Sequence, residues 1–208
     1  MNRSMTVRVK ICGLTSLEDA RAAVEAGADA LGFNFWPGSK RRVTVERVAS
    51  ILAALRAEVL VVGVFVNASR SEITKVLQSI PLGAVQLHGD ETPEDCMGYS
   101  VKVIKALRVR AGVPLAEVAA RYGTDYILLD TAAEGSYGGT GMTFAWNLAV
   151  GVAPGRLFLA GGLDPDNVAE AVRCVCPYAV DVASGVESEP GRKDHARLRE
   201  FIRNAKAA

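Results

Sequence analysis

The stretch RLFLAGGLDPDNVAEAVRCVCPYAVDVASG, residues 156–185, holds two short apolar runs separated by a pattern of helical period. Arg156–Ala160 reads as a strand, Pro165–Val175 as a helix and Ala179–Val182 as a second strand. Asp164 ahead of Pro165 is a helix-start signal, since a carboxylate accepts the first free N–H groups and proline tolerates the first helical position. A helical crossover between two strands brings them parallel and side by side. Each strand runs directly into a turn of small residues, Ala160-Gly161-Gly162 and Ala183-Ser184-Gly185.

The same strand–helix unit repeats along the whole chain. Strands are expected at Val7–Ile11, Ala30–Phe35, Leu60–Val66, Ala84–Leu87, Val101–Ala106 and Tyr126–Leu129. Helices are expected at Leu17–Ala26, Val45–Arg56, Arg70–Ser79, Pro93–Gly98, Pro114–Arg121, Phe144–Val150 and, last, Asp194–Ala205. Eight βα units in series define an α/β fold, a single (β/α)8 barrel (TIM barrel) over residues 1–208. A doubly wound open sheet fits the count alone, but the glycine turns ending the last two strands favour the barrel. No linker or low-complexity segment divides the chain.

Within the strands, residues for the helix layer and residues for the interior should alternate. Val9 and Ile11 alternate with Lys10 and Cys12; Val85 and Leu87 with Gln86 and His88; Ile127 and Leu129 with Leu128 and Asp130; Val180 and Val182 with Asp181 and Ala183. The polar member comes late each time, which places Cys12, His88, Asp130 and Asp181 at the C-terminal mouth, where barrel enzymes keep their chemistry.

Composition narrows the function. Half of the 208 residues are hydrophobic and the formal net charge is +1, which suits a globular enzyme and gives no electrostatic footprint for nucleic acid. No apolar run approaches the roughly 20 residues of a membrane span. The first ten residues lack the apolar stretch of a secretory signal, so the expected compartment is the cytoplasm. Cys12, Cys96, Cys174 and Cys176 are then expected as free thiols. Their spacing, with only His88 and His195 for company, gives no metal site. Walker and G-x-G-x-x-G loops are absent, so no nucleotide cofactor is expected.

Particular residues carry the expected chemistry. Lys10 lies two residues before Cys12 on the same face, and an ammonium there favours the thiolate. Cys12 is therefore expected to have a lowered pKa and to serve as a general base. Asp130 ends the apolar run Tyr126-Ile127-Leu128-Leu129, and a carboxylate so placed is either a loop cap or a general acid. The turns bearing Gly161, Gly162, Ser184 and Gly185 are expected to bind phosphate, because glycines let backbone N–H groups approach an anion. Arg41, in the basic loop Pro37–Arg42, is either solvated or the clasp for a substrate carboxylate. Gln86, His88 and Asp181 are expected to orient substrate or to fill the mouth. Lys105, near the end of the fifth strand, is the one candidate Schiff-base amine.

The ordered segments Val9–Thr15, Gly27–Phe33, Phe35–Arg41, Val62–Asn67, Val85–Gly89, Leu128–Asp130, Gly138–Gly141, Gly161–Leu163 and Ser184–Glu187 resemble those of phosphoribosylanthranilate isomerases from Val9 to Lys206. The resemblance implies a cofactor-free Amadori rearrangement of a small phosphosugar, N-(5-phosphoribosyl)anthranilate, in tryptophan biosynthesis. It implies Asp130 as the acid, Cys12 as the base, Arg41 on the anthranilate carboxylate and Gly162, Ser184 and Gly185 around the phosphate, in a monomer or homodimer. The sequence departs from the family at Ala160 and Ala183, where serine is frequent, and at Met142-Thr143-Phe144-Ala145-Trp146, where Lys-x-Phe-Asp-Trp is frequent. The histidine-pathway isomerase carries an aspartate where Cys12 stands. A lysine-dependent aldolase would rest on Lys105, and a phosphate-binding barrel without catalysis would need neither Cys12 nor Asp130.

Overall fold

The computed structural model describes residues 6–110, 112–131 and 145–208. Eight parallel strands close into a barrel in chain order: β1 (Arg8–Cys12), β2 (Ala30–Asn34), β3 (Leu60–Phe65), β4 (Ala84–Leu87), β5 (Lys102–Val109), β6 (Tyr126–Thr131), β7 (Leu157–Leu159) and β8 (Ala179–Val182). β1 pairs with both β2 and β8, so the ring has no edge strand, and Lys10 stands opposite Asp181 in the closing ladder. Helices α1 (Leu17–Glu25), α2 (Val45–Leu55), α3 (Arg70–Ser79), α4 (Leu115–Ala120), α5 (Val168–Val175) and α6 (His195–Lys206) cover the outside.

The strand alternation divides the core into two shells. Val9, Ile11, Leu31, Phe33, Val85, Leu87, Ile127, Leu129, Val180 and Val182 point outward and pack under the helices against Ile51, Ile73 and Phe201. A smaller inner cluster of Ala30, Val62, Ala84, Ile104, Ala106, Leu128, Phe158, Ala160 and Ala179 fills the barrel. Tyr126, Phe158 and Tyr178 close its N-terminal end, with the Tyr126 and Tyr178 rings stacked at 4.9 Å. Residues at the C-terminal end of the same inward rows are polar, so the mouth is where the interior opens.

Caps fix where helices begin. The Ser16 side chain accepts from Asp19 N, Ser69 and Glu72 form a reciprocal capping box, and Asp194 accepts from the first N–H groups of α6.

Four local readings differ from the sequence expectation. The expected helix Pro93–Gly98 is a set of turns: Asp95 hydrogen-bonds back to Thr92, Arg70 of α3 takes the Asp95 and Met97 carbonyls, and Gly98 leaves at φ +74°. The expected helix at Phe144–Val150 is a 3-10 turn at Trp146–Ala149, followed by Gly151 at φ +75°. The helix expected from Pro165 begins at Val168, because Asp164 Oδ1 accepts from Asp166 N and Asn167 N and holds a separate turn. A two-stranded hairpin, β9 (Glu187–Glu189) with β10 (Arg192–Lys193), follows the last barrel strand and was not legible as strand. The loop Tyr137–Gly141 and residues Met142–Phe144 lie outside the described residues.

Candidate active site

A cavity of about 390 Å³ opens at the C-terminal mouth. Cys12, Arg41, Gln86, His88 and Asp130 line it, and so do Gly161, Gly162, Asp181, Ser184 and Gly185. The ten residues expected to carry catalysis, substrate orientation or phosphate binding thus share one space, and Lys105 does not. Cys12 closes β1 and Asp130 lies near the end of β6, three places apart around the ring on the shorter side, so thiol and carboxyl stand on different walls.

Cys12 sits in a charged setting made by its own row. The Lys10 ammonium, fully buried, meets the Asp181 carboxylate at 2.9 Å. Gly32 on β2 makes the room, since a Cβ there would lie 2.8 Å from Cys12 Sγ and 3.1 Å from Lys10 Nζ. Burial alone would lower the Lys10 pKa, but Asp181 and Cys12 outweigh it and hold the ammonium above its ordinary value. The expected lowering of the Cys12 pKa does not hold. Burial pushes the thiol up, Lys10 pulls it down by less, and Asp181 adds to the rise. The sequence shows the neighbouring cation but not the loss of water or the carboxylate that balances that cation.

Asp130 is held at both oxygens. Oδ1 accepts from Thr131 N at 2.8 Å, and Oδ2 lies 3.2 Å from His88 Nε2. The Gln86 amide nitrogen lies 2.8 Å from His88 Nδ1. An amide nitrogen only donates, so Nδ1 accepts and the neutral ring carries its proton on Nε2, facing Asp130. Gln86 Oε1 is buried and has no hydrogen-bond partner among the described residues.

The two glycine turns pack against each other. Gly161 and Gly162 have φ +89° and +65°, and a Cβ on Gly161 would collide with Thr131 Oγ1. A Cβ on Gly185 would collide with the Leu163 carbonyl. Asn167 Nδ2 holds the Gly162 carbonyl at 3.0 Å and Arg197 Nε holds the Gly185 carbonyl at 3.2 Å. Ser184 opens a 3-10 turn, Ser184–Val186. Loops after the seventh and eighth strands with a short extra helix are the recurrent phosphate site of this fold.

Arg41 reaches the mouth by lying over Gly13, where a Cβ would strike its Cδ. Its guanidinium is engaged by Glu187, with Nε to Oε1 at 2.8 Å and Nη2 to Oε2 at 2.7 Å. That bond holds the Arg41 pKa above its ordinary value. In the sequence Glu187 stands only at the end of the Ser184–Glu187 motif, and no local pattern marks Lys193. The two meet at 2.9 Å, both buried, through a hairpin that no periodicity signalled.

Lys105 lies on the outward face of β5. Its Nζ contacts Glu91 Oε2 at 2.7 Å and the Gly89 carbonyl at 2.9 Å. It is a paired lysine behind the barrel wall, away from the cavity, and offers no Schiff-base amine there.

A family model described as N-(5′-phosphoribosyl)anthranilate (PRA) isomerase matches residues 9–204. The chain is similar to the N-(5′-phosphoribosyl)anthranilate isomerase of Pseudomonas fluorescens (strain Pf0-1), 53% identical over 197 residues that cover 94% of this chain and 97% of the relative. Its fold is similar to the crystal structure of phosphoribosyl anthranilate isomerase from Thermotoga maritima, with TM-score 0.87 and 44% identity over 97% of this chain and 100% of the other. A crystal structure of phosphoribosyl anthranilate isomerase in complex with reduced 1-(o-carboxyphenylamino)-1-deoxyribulose 5-phosphate aligns with TM-score 0.84 and 44% identity, over 97% of this chain and 100% of that one.

Proposed function

Because the chain belongs to the N-(5′-phosphoribosyl)anthranilate isomerase family, we propose that Asp130 and Cys12 divide its reaction between them as general acid and general base. The reaction is the Amadori rearrangement of N-(5-phosphoribosyl)anthranilate to 1-(o-carboxyphenylamino)-1-deoxyribulose 5-phosphate in tryptophan biosynthesis. The observation that carries the assignment is that one cavity holds a thiol and a carboxyl on different walls, with glycine turns between them for an anion.

Asp130 gives its proton to the furanose ring oxygen, the C1–O bond breaks, and the anilino nitrogen's lone pair forms the iminium. Cys12, as thiolate, then takes the C2 proton, and the electrons of that bond neutralise the iminium to give an enolamine, which tautomerises to the ketone. One proton is given and one is taken, so no cofactor is needed. The His88 N–H keeps the Asp130 carboxyl turned toward the substrate, and Gln86 fixes which His88 nitrogen carries the proton. The unpartnered Gln86 Oε1 accepts from a substrate hydroxyl or N–H, which removes the roughly 1–3 kcal/mol cost of an unmet buried acceptor. Backbone N–H groups around Gly161, Gly162, Ser184 and Gly185 take the phosphate, and Arg41 takes the anthranilate carboxylate.

Cys12 rests as a thiol, since burial outweighs Lys10. Lys10 is the cation that keeps the thiolate within reach, and Asp181 holds Lys10 in place. The base must be deprotonated to work, so kcat/KM rises with pH as Cys12 ionises. Lys10→Met removes the cation and leaves Asp181 unbalanced; both changes disfavour the thiolate. The rising limb of the pH profile moves to higher pH, and alkylation of Cys12 by iodoacetamide at fixed pH slows. An unchanged limb and alkylation rate would remove Lys10 from the mechanism.

The assignment extends to the whole chain, residues 1–208, as one domain. No helix among the described residues is long and apolar enough to cross a membrane. All four cysteines are free thiols, which fits a cytoplasmic enzyme, monomer or homodimer. The direct test generates phosphoribosylanthranilate in place and follows loss of its fluorescence on adding the purified protein. Loss well above the spontaneous rate is expected; loss at the spontaneous rate sinks the reading.

A further inference from the structure

Arg41 is not a guanidinium on a free tether. Two of its five N–H donors are spent on Glu187 in a bidentate pair at 2.8 and 2.7 Å, only about one-seventh of the Arg41 side chain is exposed, and the Glu187 side chain is 4% exposed. Glu187 is fixed in turn. Lys193 Nζ, itself fully buried, donates to Glu187 Oε1 at 2.9 Å and to the Ala183 carbonyl at 3.0 Å. The Lys193 backbone N–H donates to Asp19 Oδ2 at 3.0 Å, which ties the hairpin to α1. Glu187 directly follows the 3-10 turn Ser184–Val186. The guanidinium is therefore anchored, through one carboxylate, to the segment that carries the phosphate turn.

The charges point the same way. Two cations, the partly buried Arg41 and the fully buried Lys193, share one carboxylate, so the cluster holds a single positive charge in excess beside the cavity. Glu187 is held below its ordinary pKa because Arg41 and Lys193 outweigh the burial that would raise it. Burial holds Lys193 below its own ordinary value, and Glu187 only partly offsets this. Glu187 takes Nε and Nη2, which leaves Nη1 as the guanidinium nitrogen outside the pair.

We propose that Glu187 is the positioning residue for substrate recognition: clamped by Lys193, it holds Arg41 so that the Nη1 edge meets the substrate carboxylate at a fixed distance from the phosphate turn. Glu187 itself touches no substrate. The two anionic ends of the substrate are thereby gauged against each other by one short piece of chain, residues 183–193, and a phosphosugar without a carboxylate on its aromatic end is discriminated against. This inference rests on the placement of Arg41 on the carboxylate.

The test is steady-state kinetics of the full chain with Glu187→Gln, which keeps the shape and loses the charge. KM for phosphoribosylanthranilate is expected to rise roughly tenfold to a hundredfold while kcat falls by less than about threefold, the signature of lost binding common to ground and transition states. Inhibition by anthranilate should weaken in parallel, and inhibition by inorganic phosphate should hold within about twofold of the parent. The double variant Glu187→Gln/Lys193→Met restores the charge count if the single one folds poorly; it should show the same split. A fall in KM would make Glu187 a competitor for Arg41 and overturn the proposal. So would a parallel weakening by inorganic phosphate, which would mean a disturbed loop, or recovery of KM in the double variant, which would mean that charge count alone matters. Arg41→Ala is measured alongside: if it leaves KM and anthranilate inhibition unchanged, the carboxylate placement itself fails, and the proposal falls with it.

Discussion

Asp130→Asn is expected to lower kcat by about 10²–10⁴-fold, the range for loss of a positioned general acid. The asparagine amide occupies the same space; its one oxygen keeps the bond from Thr131 N, while its NH2 group takes the place of the oxygen facing His88 Nε2, which must then accept, so the fold and the glycine turns should be unaffected. What is lost is the proton for the ring oxygen. Substrate then stays in its cyclic form, and borohydride added during turnover traps no ring-opened amine above the rate seen without enzyme. Binding of inorganic phosphate is unchanged. Near-normal turnover in this variant would remove Asp130 from the acid role, whatever its place in the cavity.

Cys12→Ser is expected to lower kcat over a similar range, about 10²–10⁴-fold, for a different reason. A hydroxyl is far less acidic than a thiol, and the burial that already raises Cys12 also disfavours an alkoxide. Ring opening is left intact, so the iminium forms and waits. Borohydride should therefore trap a ring-opened, reduced adduct with Cys12→Ser and not with Asp130→Asn. The two variants have similar turnover and opposite trapping, which separates the acid step from the base step more sharply than rates alone. Because both residues serve one sequence of proton transfers, the double variant should be little slower than either single one. Equal trapping in the two would mean that Cys12 and Asp130 act on the same step.

The fold was legible because its signal is local and repeated. Alternation along four strands put Lys10, Cys12, His88, Asp130 and Asp181 on the inner face, and the same rows hold them there in the structure. Turn chemistry likewise singled out Gly161 and Gly185, whose missing Cβ atoms leave space for Thr131 and for the Leu163 carbonyl, and Gly162, whose φ is +65°. What was not legible depends on distance through the chain. Arg41 and Glu187 are 146 residues apart, and no pattern in a window of ten or twenty links them. The direction of the Cys12 shift is a balance between burial and two opposed charges, and only one of those charges lies next to it in sequence. Local cues also misled. Pro93 and the acidic residues after it resemble a helix start, yet Arg70 takes the carbonyls that a helix would have bonded internally.

The ion pair at the heart of the mouth joins residues 171 positions apart, Lys10 on the first strand and Asp181 on the last. It forms only when β1 pairs with β8, a contact of high sequence separation that raises the contact order of the chain. The segment from β8 onward supplies the turn Ser184–Val186, the Glu187 partner of Arg41 and, in Asp181, the carboxylate that meets Lys10. The first and last strands thus bring Cys12, Lys10 and Asp181 together at one seam of the barrel.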